Sequence, residues 1–112
     1  MRNHRPRHHP HHGLLYGIER DIAHAREALA ATKWGYDHLP PDAACQMHPH
    51  LTDLSTAILS ITEDMCVVHA EISTTKRPRP AALTQAQELR SELADRLFDL
   101  ETTISTAGKV SR

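Results

Sequence analysis

Three stretches of the chain place apolar residues at alternating steps of three and four. This spacing sets each group of residues on one face of a helix and predicts helices over about 14–33, 50–75 and 81–107. The positions are Leu15, Ile18, Ile22, Ala25 and Leu29 in the first stretch, Leu51, Leu54, Ile58, Ile61, Met65, Val68 and Ile72 in the second, and Leu83, Ala86, Leu93, Leu97, Leu100, Ile104 and Ala107 in the third.

Two proline-containing segments, "HLPPD" at 38–42 and "KRPRP" at 76–80, separate the three stretches. Proline lacks the backbone N–H and clashes with the preceding turn, so a helix does not continue through such segments. The seven-residue apolar repeat predicts an all-α fold, a three-helix up-down-up bundle with coiled-coil-like packing. The second connection is expected to be tight and the first, about 33–49, to be long. We expect one helical domain at 13–112 after a disordered basic, His-rich tail at 1–12.

Arg90 occupies a position that the third apolar pattern assigns to the core. In one interpretation its long aliphatic stem carries the guanidinium past the edge of the core while Leu89 takes the buried position. In the other, Arg90 is a buried cation paired with Glu63 or Asp64 of the second helix. The pattern alone leaves both open.

Composition narrows the class of protein. Aromatic residues make up 4% of the chain, too few for a β-sandwich, and the net charge of −1 gives no overall field that would attract nucleic acid. The start of the chain has no apolar signal region, and no segment approaches the roughly 20 apolar residues of a membrane span. Two cysteines are too few for a secreted disulfide scaffold, so we expect a cytoplasmic protein.

The spacing Cys-x-x-His occurs twice and includes both cysteines of the chain, as Cys45 and His48 and as Cys66 and His69. Two thiolates and two imidazoles can hold a tetrahedral zinc ion. The pairs can meet within one chain only if the long first connection folds back along the second helix. A zinc site, a disulfide between the cysteines and an accidental recurrence remain as alternatives, and no other cofactor is expected.

Arg-Pro-Arg also occurs twice, at 5–7 and at 77–79. An up-down-up bundle brings the start of the first helix and the turn between the second and third helices to the same end. The expected basic pole therefore gathers Arg2, Arg5, Arg7, Lys76, Arg77 and Arg79. Extended Arg-Pro segments suit phosphates or a narrow minor groove, and the competing interpretation, which the sequence favours, is a solvated basic linker and tail.

No nucleophile stands beside an evident base, and the acidic residues of the second stretch lack the E-x-x-H spacing of helical-bundle catalysts. The sequence therefore predicts a non-enzymatic interaction or regulatory protein that binds a protein partner, with no small-molecule substrate and no membrane. The narrow apolar stripes also allow a homodimer. The alternatives are a nucleic-acid-associated protein that uses the basic pole and a zinc-binding structural module.

Overall fold

The fold consists of three long helices that pack side by side. The computed structural model describes residues 10–110, and over that range the chain forms α1 (His12–Asp37), α2 (Pro41–Ser73) and α3 (Pro80–Val110). Every helix contacts both of the others, and the contact between α2 and α3 is the most extensive. The predicted all-α three-helix bundle is confirmed.

The core lies along the faces that the apolar patterns predicted. All seven predicted positions of α2 are buried, and the most enclosed side chains of the bundle include Ile18, Ile58, Met65 and Leu93. The beginning of α3 differs from the prediction in one respect, because Ala82 is fully buried while Leu83 is only partly so. Ala82 lies in the first turn of α3, where its small side chain takes the buried position.

The first connection is much shorter than the sequence predicted. It comprises only residues 38–40, and α2 begins at Pro41 and continues through Pro49. Proline is well suited to the first position of a helix, and Asp42 adds a favourable negative charge to the first turn. Pro49 removes the hydrogen bond that would reach the carbonyl of Cys45, yet the helix persists because Met47 packs against the core.

Candidate functional site

The two Cys-x-x-His pairs lie on the same helix, at opposite ends of its packed length. Cys45 and Cys66 are both in α2, 21 residues apart, and both are exposed. At about 1.5 Å per residue this separates them by about 30 Å along the axis. The condition for a zinc site within one chain, a connection folded back along α2, is not met. Among the described residues no group of three or more His, Cys, Asp and Glu side chains could hold a metal ion.

The two pairs lie on the same side of α2, because the 21 residues that separate them are three seven-residue repeats. Both histidines contact α1. His48 places Nδ1 3.2 Å from the hydroxyl of Tyr36, and His69 places Nε2 2.9 Å from a carboxylate oxygen of Glu19. Each pair thus marks one end of the interface between α1 and α2.

Two open hollows lie along this interface, one beside each histidine. The first is lined by Glu19, Ile22, Arg26, Cys66 and His69. The second part of the interface is lined by Leu29, Thr32, Lys33, Tyr36, His48, Leu51, Thr52, Ser55, Thr56 and Leu59. Small hydroxyl side chains of α2 form much of the second part, and Leu59, just over half exposed, is the one large apolar side chain among the exposed residues there.

Only part of the expected basic pole lies within the described residues. Arg2, Arg5 and Arg7 fall outside them. Lys76 and Arg77 are exposed in the connection between α2 and α3, which the order of the helices places at the same end of the bundle as the start of α1.

Arg79 is engaged by a neighbouring acid. Its guanidinium donates two hydrogen bonds to Glu71, from Nε at 2.8 Å and from Nη2 at 2.9 Å. This bidentate contact lowers the pKa of the Glu71 carboxyl below its ordinary value of 4.5 and raises the pKa of Arg79. The charge of Arg79 is therefore partly compensated within the chain, which reduces its contribution to the pole.

Arg90 pairs with neither of the acids expected from the sequence. Its Nε donates to a carboxylate oxygen of Asp21 on α1 at 2.6 Å, and both side chains are about one-third exposed. Gly17, one turn earlier on α1, makes room for the guanidinium: a Cβ at that position would lie 2.6 Å from Arg90 Cζ. Leu89, which the first interpretation placed in the buried position, is only partly buried and packs against the core. Arg90 therefore joins α3 to α1, not to α2.

A groove runs between α1 and α3, and sequence reasoning did not identify it. It consists of two adjoining hollows of about 260 and 390 Å³ that share His24 and Glu101, whose side chains approach to 3.4 Å across it. Phe98 stands on its edge and is 73% exposed, more than any other large apolar side chain whose burial the structure describes. The sequence did contain one signal for this groove: Phe98 directly follows Leu97 but does not belong to the apolar repeat of the third helix.

No helix among residues 10–110 has an apolar stretch long enough to cross a membrane. Comparisons with protein-family models, with curated protein sequences and with solved structures find no match to this chain.

Proposed function

We propose that this chain is a non-enzymatic interaction protein that binds a protein partner in the groove between α1 and α3. The observation that carries the proposal is the exposure of Phe98 beside that groove. Covering a large aromatic side chain that is exposed to water stabilises the complex, and aromatic residues are enriched at protein interfaces.

The lining of the groove indicates the chemistry of the partner. Its α3 side is apolar, from Leu93, Ala94 and Leu97, and its α1 side carries the small residues Ala28 and Ala31. A groove between two helices with an apolar floor accepts the apolar face of a third helix. We therefore expect an amphipathic helix with apolar anchors spaced by three and four residues.

Charge at the rim adds a further requirement. Glu27 and Glu101 border the wider hollow; Glu101 already contacts His24 at 3.4 Å, and the nearby carboxylate of Asp21 is paired with Arg90. A lysine or arginine side chain beside the apolar face of the partner helix would complement Glu27 and would compete with His24 for Glu101. Such rim charges chiefly affect the association rate and its dependence on salt, while the apolar contacts supply most of the affinity.

Photo-crosslinking in the native host provides the test. A photoreactive amino acid replaces Phe98 in one variant and Val67 in a control variant, because Val67 is similarly exposed at 69% but lies on α2. The partner that position 98 captures is then purified, and its affinity is measured. We expect Phe98→Ala to weaken binding at least about tenfold, as loss of an aromatic anchor usually does, and Val67→Ala to leave it unchanged. Equal affinity of the wild type and Phe98→Ala for that partner would refute the proposal.

Nucleic-acid binding at the basic pole is a second candidate, supported by the position of exposed Lys76 and Arg77 at the end of the bundle where α1 begins. Binding to duplex DNA should then weaken steeply between about 50 and 200 mM salt, because each neutralised phosphate releases counterions. Replacing Lys76 and Arg77 by glutamine should reduce that slope. DNA binding that is absent at low salt, or independent of salt, would rule this candidate out.

A further inference from the structure

The two Cys-x-x-His pairs each offer two metal ligands, half of what a tetrahedral zinc ion requires. Residues three apart on a helix lie on the same side, so each cysteine can bind one ion together with its histidine. Cys45 and Cys66 are exposed, and the pairs occupy equivalent positions on α2 three seven-residue repeats apart. The chain therefore carries two half-sites that face the same way and cannot meet each other.

From this arrangement we infer that two copies of the chain bind zinc between them, with their α2 helices antiparallel. A two-fold axis across α2 near residue 57 places Cys45 and His48 of one copy against His69 and Cys66 of the other. The two-fold symmetry places the same four ligands together again at the opposite end of the paired α2 helices. The dimer then holds two equivalent Cys₂His₂ sites, each incomplete without the second copy.

The hydrogen bonds of the two histidines fit this role. His48 uses Nδ1 toward Tyr36, which leaves Nε2 for a metal, and His69 uses Nε2 toward Glu19, which leaves Nδ1. Zinc-binding histidines usually donate the other ring N–H to a fixed oxygen, which orients the ring and sets its tautomer. In both half-sites α1 supplies that oxygen, although the two oxygens come from different residue types.

The surface between the half-sites suits a second copy of α2. Thr52, Ser55 and Thr56 are small, and Leu59 is just over half exposed among them. Small side chains allow two helices to approach to about 8–10 Å between axes, the separation at which paired helices pack. Leu59 from each copy would be covered near the two-fold axis.

Complementation between two variants tests the inference. Cobalt(II) is the probe, because thiolate-to-cobalt absorption reports only on cysteine ligands and is blind to the histidines of the N-terminal segment. The wild-type chain should bind one cobalt per chain and sediment as a dimer. Cys45→Ser and Cys66→Ser each leave one thiolate and two imidazoles at every site of their dimers, so each should bind cobalt more weakly and show about half of the wild-type thiolate absorption per bound ion. Far-UV circular dichroism verifies that each variant keeps its helices.

An equimolar mixture of the two variants should bind one cobalt ion per mixed dimer with the affinity and the two-thiolate spectrum of a wild-type site. One end of the mixed dimer then combines the intact Cys45 pair of one copy with the intact Cys66 pair of the other. The matched control is His50→Ala, because His50 lies two residues from His48, about 200° around the helix. This control should behave as the wild type does.

X-ray absorption of the zinc form should show two sulfur ligands near 2.3 Å and two nitrogen ligands near 2.0–2.1 Å. Three results would overturn the inference: a thiolate band undiminished by either single substitution, a metal-loaded protein that stays monomeric, or a mixture that binds cobalt no more tightly than its separate components. Because Phe98 lies on α3, away from this surface, the result is independent of partner binding in the groove between α1 and α3.

Discussion

Arg90 of α3 donates from Nε to the carboxylate of Asp21 on α1 at 2.6 Å. The pair bridges two helices that are also joined by the more exposed contact between His24 and Glu101, and about two-thirds of each side chain of the Arg90–Asp21 pair is covered. A charge-assisted hydrogen bond that is partly shielded from solvent holds α1 in alignment with α3 more strongly than an exposed ion pair would.

We predict that Asp21→Asn and Arg90→Gln each lower the free energy of unfolding by about 1–2 kcal/mol, the range for a hydrogen bond to a charged group with allowance for partial exposure. Urea denaturation of the two single variants and the double variant provides the measurement. The double variant should lose less than the sum of the single losses, because the interaction can be removed only once. Additive losses would show that the side chains act independently.

Gly17 provides space for the Arg90 guanidinium, and its substitution should reveal that function. Alanine normally favours a helix over glycine by up to about 1 kcal/mol. At Gly17 the new Cβ would displace the guanidinium, so Gly17→Ala should lower the free energy of unfolding despite this gain. Gly13→Ala is the control, because nothing lies within 4 Å of a Cβ there. In an Arg90→Ala background Gly17→Ala should become stabilising; a loss of stability there would contradict the assignment.

The contact between Arg79 and Glu71 should make stability depend on pH in the acidic range. The pKa of Glu71 is lowered in the folded chain by the hydrogen bond from Arg79, so the stabilisation is present above the ordinary value of 4.5 and is lost as pH falls through the lowered pKa. Arg79→Gln should therefore be less stable than the wild type near neutral pH and equally stable in strong acid. NMR titration should show the Glu71 pKa rising in Arg79→Gln and unchanged in Arg77→Gln.

Pro49 should be the weak point of α2. Its missing N–H leaves the Cys45 carbonyl without its helical donor, so Pro49→Ala should raise the free energy of unfolding by up to about 3 kcal/mol. Hydrogen exchange should be faster at residues 42–48 than at 54–72, and the substitution should slow it in the first segment. Uniform exchange along α2 in the wild type would show that the proline has no local effect.

Much of the fold is encoded in local pattern. The steps of three and four between Leu51 and Ile72 identify the buried face of α2, because a helix that packs against two neighbours needs an apolar stripe of that period. The prolines at 76–80 likewise predict the connection between α2 and α3. These features depend on residues close together in the sequence.

Features that depend on distant residues were not predictable in the same way. Pro49 indicates a helix end when taken alone, yet packing of Met47 and Leu51 on both sides holds the helix together. Arg90 had plausible acidic partners on α2, but the alignment of α1 places Asp21 within reach, with Gly17 providing the space. The separation of the two Cys-x-x-His pairs followed from the same continuation of α2 through Pro49.

Continuity of α2 from Pro41 to Ser73 is the claim on which the separation of the half-sites rests, and the distance between Cys45 and Cys66 tests it most directly. The chain contains only these two cysteines, and both are exposed, so nitroxide labels attach to the unmodified sequence and also block metal binding. Pulsed electron paramagnetic resonance should give a distance near 30 Å, the rise of 21 helical residues, broadened by the label linkers. A distance below about 20 Å would mean that the segment before Pro49 folds back along the helix, and it would contradict both the continuous α2 and the two separate half-sites.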